Sequence, residues 1–387
     1  MTLRPCLFAA AAALGLVACG DHDDDDHHDL ATDARPVVEQ HAALVRTAYA
    51  DALAGARALD TAIDAFIAAP SAATLDAART AWIAARLPYR PTEALRFYGG
   101  PIDDPADERE PAINAWPMDE AYVDYVEGNA TAGIINDTAG FPTIDAATLT
   151  AANFVGGESN VAVGYHAIEF LLWGQDKSTT GPGARPHTDY VDGGTAANQA
   201  RRRAYLGVVS DQLVADLEHV ADRWADGGDY TATFTADPVA SLTRMLTGIG
   251  TLAAAELSGE RMLTAYENKD QEDEHSCFSD TTLDDIKGNF AGIENVYVGK
   301  WGATDGPGLD GLVGHGHPEL AQQMTDRLAA AKAAIDAIPG PFDQAILGAD
   351  TDAGRTKVLA AIRAIQDVGD TVVDIAEALD VPVSTEL

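Results

Sequence analysis

Basic residues, cysteines and long apolar runs are all scarce in this 387-residue sequence. It has 25 lysines and arginines against 61 aspartates and glutamates, which gives a formal net charge of −36. Such a chain repels a phosphate backbone, which argues against nucleic acid as a partner. Beyond the N-terminus, no segment reaches the roughly 18 uninterrupted apolar residues that suggest a spanning helix.

The three cysteines leave no pair for a structural disulfide. Cys6 lies in the apolar run "CLFAAAAALGLVA" after Arg4, and the tetrad "LVAC" that ends at Cys19 is similar to a bacterial lipobox. We therefore predict a lipoprotein signal peptide over 1–18, removed on export, and a lipid on Cys19 that anchors the chain to a membrane. The exported protein would face the periplasm or sit in the outer membrane. Cys277 then stands alone, as a buried residue or a ligand.

An acidic and histidine-rich segment follows the predicted signal peptide. Residues 19–33 contain the run "DHDDDDHHD", which is typical of a disordered tether between the lipid and the fold. Loose capture of divalent cations by its histidines and aspartates is the alternative interpretation.

Helical periodicity dominates the rest of the chain. Strand-like alternation is scarce, and the length suits two domains, so we predict an all-α fold with long irregular loops. We expect two similar halves, 34–190 and 191–387, each resembling a four-helix bundle. An ungapped match between "YHAIEFLLWG" (165–174) and "FAGIENVYVG" (290–299) indicates an internal duplication. The predicted helices lie near 36–68, 119–127, 145–153, 159–173, 198–226, 237–268, 281–298, 317–338 and 352–380.

Three irregular segments interrupt the helices. Residues 97–120 and 174–194 are rich in glycine, proline and charge, and residues 267–280 carry six acidic side chains with one histidine and one cysteine. Loops of this length in compact domains are usually functional or mobile. We therefore look in these loops for residues that complete a site.

One histidine and one glutamate stand out on an otherwise apolar helix. His166 and Glu169 are three residues apart, so they project from one face and can reach a common point. Neutral imidazole and carboxylate are ligands for zinc, iron and manganese. A buried carboxylate without a partner costs several kcal/mol, so Glu169 needs a cation or hydrogen-bond donors. The pair is also compatible with a structural hydrogen bond, or with Glu169 orienting His166 as a general base.

Protease signatures are absent from the sequence. There is no H-E-x-x-H, because Ala167 and Ile168 follow His166, and no H-x-x-E-H, because Phe170 follows Glu169. A G-x-S-x-G nucleophile elbow is also missing. A hydrolytic function therefore has no support from these motifs.

Six ordered blocks resemble the imelysin family of bacterial envelope proteins. The G-x-H-x-x-E signature of that family falls on Gly164, His166 and Glu169. The resemblance implies an all-helical fold of two similar halves, with a site in the cleft between them. It also implies export and a link to iron uptake, and members of the family are classified as peptidases. The blocks are "RFYGGPID" (96–103), "INAWPMDEAYVDYVEG" (113–128), "GYHAIEFLLWGQD" (164–176), "GPGARPHTDYV" (181–191), "DEHSCFSDTTLDDI" (273–286) and "GIENVYVGKW" (292–301).

The predicted function is binding of a metal ion, iron or zinc in a divalent or ferric state, or of a small metal-bearing ligand. His166 and Glu169 are the predicted ligands, and iron-uptake proteins of the envelope are the possible partners. Two alternatives stay open: a metal-dependent peptidase with Glu169 as its catalytic residue, and a module for peptide or protein interaction with a structural His–Glu pair. Further candidate site residues are Glu93, Arg96, Asp119, Glu120, Glu274, His275 and Asp280.

Overall fold

The computed structural model describes residues 29–107, 109–178 and 180–385. The predicted signal peptide and the predicted lipid site at Cys19 lie outside these residues. The first helix begins at Leu30, where the side chain of Asp29 caps its N-terminus. The last residues of the predicted tether are therefore helical.

The described residues are mostly helical and contain almost no strand, which confirms the predicted all-α class. Besides the α-helices there are 3₁₀ turns at Arg90–Leu95, His187–Tyr190 and Gln271–Asp273, and one π-helical segment at Leu252–Leu263. Two short antiparallel strands, β1 Lys300–Trp301 and β2 Thr304–Asp305, form a hairpin. The α-helices are α1 Leu30–Ala68, α2 Ala72–Tyr89, α3 Arg109–Ile113, α4 Glu120–Val123, α5 Gly133–Asn136, α6 Ala146–Ala152, α7 Gly164–Trp173, α8 Gln199–Trp224, α9 Asp229–Ala236, α10 Pro238–Thr251, α11 Thr264–Asn268, α12 Thr282–Val298, α13 Leu309–Gly316, α14 Pro318–Asp336, α15 Phe342–Ile346 and α16 Ala353–Ala378.

The long helix α1 contacts several other helices and contributes a large part of the core. Its buried residues recur at a spacing of three to four, as in Leu59, Ile63 and Phe66, so one apolar stripe faces the core. It packs against α2, α8 and α10. A second group forms around α16, which contacts α14, α10 and the π-helical segment. No helix of the described chain is long and apolar enough to cross a membrane.

The 3₁₀ turn at Arg90–Leu95 brings the end of α2 to the second group of helices. It follows α2 directly and packs against α12. The predicted division of the chain at residue 190 and the internal duplication stay predictions. The helices around α1 continue past that residue, because α8 packs against α1 and α7.

The π-helical segment is the main departure from the predicted helices. The periodicity predicts one helix over 237–268, whereas the structure has α10, then the π-helical segment, then α11. A π-helix adds a residue to each turn, and such segments are frequent at functional sites. This one carries Glu256, Glu260 and Arg261.

Candidate functional site

A glycine positions the helix that carries the histidine and the glutamate. Gly164 begins α7 with φ of +86°, in the region that favours glycine. A Cβ atom there would lie 2.6 Å from the carbonyl oxygen of Ile113 and 2.8 Å from that of Ala112. The missing side chain therefore lets the start of α7 approach the C-terminal end of α3 closely. Every residue of α7 is buried, and both His166 and Glu169 have no exposed surface.

His166 and Glu169 contact each other directly. The Nδ1 atom of His166 lies 2.9 Å from Oε2 of Glu169. The other carboxylate oxygen accepts hydrogen bonds from the backbone N–H of Ser279, at 2.9 Å, and from its hydroxyl, at 2.7 Å. The Oε1 atom of Glu169 therefore already accepts two hydrogen bonds, and Oε2 faces Nδ1 of His166. The Nε2 atom of His166 is buried and has no hydrogen-bond partner among the described residues.

A second imidazole lies beside the first. The ring centroids of His166 and His275 are 4.6 Å apart, with the planes nearly perpendicular. Trp116 lies against both, at 5.1 Å from the ring of His166 and 6.4 Å from that of His275. The Nδ1 atom of His275 is 3.0 Å from Oδ2 of Asp285, and its Nε2 is 3.5 Å from Nδ2 of Asn114. Each imidazole therefore has its Nδ1 side held by a carboxylate, an arrangement common among histidines that ligate metals.

Buried arginines fix the charge of Asp285. Its Oδ1 atom accepts hydrogen bonds from Nη2 of Arg86, at 3.1 Å, and from Nε of Arg90, and its Oδ2 accepts one from the Ser276 hydroxyl. Burial opposes ionisation of Asp285, but the two arginines outweigh it and hold its pKa well below the usual range. The ionised Asp285 accepts the Nδ1–H of His275, so the Nε2 lone pair faces the amide nitrogen of Asn114 as an acceptor, and a metal ion there would replace that long 3.5 Å contact.

Burial governs the protonation of the two imidazoles and of Glu169. It lowers the pKa of His166 well below its ordinary value, with a further contribution from His275. Burial and Arg261 lower the pKa of His275 to about 4. Both rings are therefore neutral at pH 7, as metal ligation requires. Burial also raises the pKa of Glu169 to about 8. The hydrogen bonds from Ser279 act in the opposite direction and lower that pKa, but burial has the larger effect.

Glu93 and Arg96 lie on the other side of Asn114. The carboxylate of Glu93 accepts hydrogen bonds from Nδ2 of Asn114 at 3.1 Å, from Arg96 at 2.5 Å and from Arg261 at 2.7 Å. Burial opposes ionisation of Glu93, but Arg261 and Arg96 lower its pKa far below the usual range. Asn114 thus connects the predicted residues Glu93 and Arg96 to His275.

A cavity of about 410 Å³ opens beside this cluster. His275, Asn114 and Trp116 line one part of it, and Arg96 and Arg261 line another. His166 is not among the lining residues and lies behind Trp116 and His275. The cavity and the buried imidazoles together form the candidate site.

The remaining predicted site residues are not part of this cluster. Asp119 caps α4, where its side chain accepts the N–H of Ala121 at 2.9 Å. Burial and Glu272 raise the pKa of Glu120 to about 7. Glu274 and Asp280 belong to a separate group of carboxylates that also contains Asp176 and Asp343.

The separate carboxylate group predicts a pH dependence of stability. Burial, Asp176 and Asp343 raise the pKa of Asp280 from 3.8 to about 7. Because the folded state holds this proton more tightly than the unfolded state, its contribution to stability is complete below about pH 4 and is lost as the pH rises to about 7. Asp280→Asn, which the φ of +56° tolerates, is expected to flatten that decline in urea titrations across pH 4 to 8. The exposed Asp326→Asn should keep the wild-type slope, and equal slopes in all three proteins would contradict the prediction.

Several residues of the cluster were not predicted from the sequence. Asp285, Asn114, Ser279 and Arg261 contact His275, Glu93 or Glu169, and they come from four separate elements or loops. Three of them fall inside the blocks that resemble the imelysin family. Membership of those blocks was the one sequence feature that could have identified these three residues. Arg261 lies outside the blocks, and no feature of the sequence distinguished it.

The residues present partly fit a metal ion. Two neutral imidazoles lie together, and one of them has a buried nitrogen with no partner, which is suited to a cation. Within residues 29–107, 109–178 and 180–385, no group of three or more His, Cys, Asp or Glu side chains is arranged to hold a metal ion. The fit therefore rests on two nitrogen donors of the protein.

Known proteins share the fold and about a sixth to a quarter of the aligned residues. The chain is 27% identical over 343 residues to iron-regulated protein A of Synechococcus elongatus, covering 85% of this chain and 81% of that protein. The crystal structure of a putative iron-regulated protein A precursor from Parabacteroides distasonis superposes with a TM-score of 0.69 at 21% identity, covering 90% of this chain and 95% of that one. An imelysin-like protein from Psychrobacter arcticum gives a TM-score of 0.66 at 16% identity, covering 92% and 98%. The profile of the Imelysin family (Peptidase_M75) matches residues 45–372, so the chain belongs to the imelysin family.

Proposed function

We propose that this protein binds a metal ion, with iron as the first candidate, at the Nε2 atoms of His166 and His275. The observation that carries the proposal is the buried and unpartnered Nε2 of His166 beside a second neutral imidazole. An isolated polar atom in a dry interior is costly, and a bound cation would remove that cost. In this proposal Glu169 is ionised when the cation is bound, and Glu169 and Asp285 accept the Nδ1–H of His166 and His275, which leaves both Nε2 atoms as the donors to the ion.

The choice of iron draws on the relatives and on ligand chemistry. Imidazole nitrogen binds iron, zinc and manganese, so the donors alone do not select one metal. Two of the similar proteins bear the name iron-regulated protein A. The ion, when bound, supplies a Lewis-acid centre, and water or a small ligand fills the positions that the two imidazoles leave open.

The proposed setting is the bacterial cell envelope. The predicted signal peptide over 1–18 and the predicted lipid on Cys19 support export and a membrane anchor. A metal-binding protein so placed would serve iron uptake and would meet its partners there.

The test is metal binding by single-histidine variants. His166→Ala and His275→Ala are each expected to lose stoichiometric binding of Fe²⁺ or Zn²⁺ in anaerobic calorimetry, with unchanged helical content by circular dichroism. Glu169→Gln should weaken binding by about 10 to 100-fold, because it alters the group that orients His166. The exposed His317→Ala serves as the matched control. Wild-type affinity in His166→Ala would refute the proposal.

A peptidase assay on the same proteins separates binding from hydrolysis. An unfolded peptide substrate is incubated with wild type and with Glu169→Gln, with and without a chelator. Binding alone predicts no cleavage in any sample. Cleavage that both the chelator and the substitution abolish would assign the protein a hydrolytic role.

A further inference from the structure

The cavity beside the imidazoles has an excess of negative charge. Two guanidinium groups line it, those of Arg96 and Arg261, and both are already paired with carboxylates. Arg96 contacts Glu93 at 2.5 Å and Glu110 at 3.2 Å, and Arg261 contacts Glu93 at 2.7 Å and Glu256 at 2.8 Å. Five carboxylates line the same cavity, namely those of Glu110, Glu158, Glu256, Glu260 and Asp273.

Three of these carboxylates have no cationic partner within the described chain. Glu158 and Glu260 are exposed and form no ion pair there. Asp273 accepts a hydrogen bond from the neutral amide of Asn268 at 2.8 Å. The two arginines are therefore shared among three inner carboxylates, and the outer carboxylates add further negative charge to the cavity.

The π-helical segment places charges of opposite sign in adjacent positions. Arg261 points inward to Glu93, and the preceding Glu260 stays exposed on the lining of the cavity. Glu256 comes from the same segment and pairs with Arg261. This arrangement places the positive charge in the inner part of the cavity, while the outer part carries only carboxylates.

We propose that this cavity is the entrance to the imidazoles and that it admits a free hydrated divalent cation in preference to a metal held in an anionic chelate. The inference rests on the proposed function and specifies its ligand. A negatively lined cleft raises the local concentration of cations and their association rate by about 10 to 10³-fold, and it repels anions. Six waters occupy about 180 Å³ at their share of liquid volume, so a cavity of about 410 Å³ holds a hydrated ion with room to spare. Charge, rather than size, therefore discriminates against a small chelate.

The test compares cation uptake by two variants with the same change in net charge. The cavity variant combines Glu158→Gln, Glu260→Gln and Asp273→Asn. The control variant combines three exposed substitutions on α14, Glu319→Gln, Asp326→Asn and Asp336→Asn. Stopped-flow measurements follow Co²⁺ binding to the full chain at low and high ionic strength, and a parallel titration uses ferric citrate.

We expect the association rate of Co²⁺ to fall about tenfold in the cavity variant at low salt and to stay near wild type in the control. The difference should shrink at high salt, because salt screens exposed charges. Ferric citrate should not compete with Co²⁺ for the wild-type protein.

Equal rates in the two variants, or competition by ferric citrate, would overturn the inference. The His166→Ala variant tells this failure apart from failure of the proposed function. If His166→Ala loses Co²⁺ binding and the cavity variant keeps wild-type kinetics, the proposed role of the cavity as an entrance is refuted and the proposed metal centre is not. Retained binding in His166→Ala refutes the metal centre itself.

Discussion

Asp285→Asn is expected to lower the free energy of unfolding by about 3 to 5 kcal/mol, the typical cost of removing one partner from a buried ion pair. Asp285, Arg86 and Arg90 are each 1% exposed, and Asp285 is the carboxylate that both arginines contact. Asparagine keeps the shape but leaves two buried guanidinium groups without a counter-charge. His275 also loses the charged acceptor of its Nδ1–H, so metal affinity should fall with stability.

An exposed ion pair provides the control for that substitution. Arg327 and Asp367 are 2.6 Å apart with 45% and 46% of their side chains exposed. Asp367→Asn is therefore expected to cost about 0 to 1 kcal/mol. Urea denaturation of both variants measures how much free energy of unfolding each substitution removes. Similar losses in the two proteins would mean that the Asp285 cluster contributes no more than a surface pair.

Gly164→Ala is expected to destabilise the protein by about 2 to 5 kcal/mol through backbone strain and overpacking. The positive φ disfavours alanine, and the new methyl group would sit 2.6 Å from the Ile113 carbonyl oxygen. Relief of this contact requires α7 to move away, and His166 lies only two residues further along that helix. We therefore expect weaker metal binding together with the loss of stability.

A second glycine isolates the effect of the close contact. Gly311 lies inside α13, and a Cβ atom added there would point into open space, with no neighbouring side chain within 4 Å. Gly311→Ala should stabilise the helix by up to about 1 kcal/mol, as alanine does in helix interiors. Thermal melts and near-ultraviolet circular dichroism distinguish the two variants. A melting temperature of Gly164→Ala at or above that of wild type would contradict the assigned role of Gly164.

Local patterns predicted the helices and the first pair of the site. The spacing of apolar residues gave α8, α12, α14 and α16 to within about two residues at each end, and the i, i+3 rule placed His166 beside Glu169. These features depend on residues close in sequence. The imelysin resemblance added the ordered blocks, which cover most of the cluster.

Contacts between distant segments were beyond the reach of local patterns. Asp285 meets Arg86 and Arg90 across nearly two hundred residues, and no periodicity encodes that pairing. The π-helical segment continues directly from α10 with no proline after Pro238 to interrupt it, so the sequence indicated one continuous helix. In the irregular loop, Glu274 and His275 are neighbours in sequence, but their side chains belong to different groups of residues.

The two imidazoles come from opposite sides of residue 190. His166 lies on α7, and His275 lies in the loop before α12, so neither portion of the chain holds both nitrogen donors. A fragment that ends or begins near that residue would lack the complete pair however well it folded. If the proposed ion binds both imidazoles, its occupancy would therefore report that the two portions of the chain have come together in the folded state.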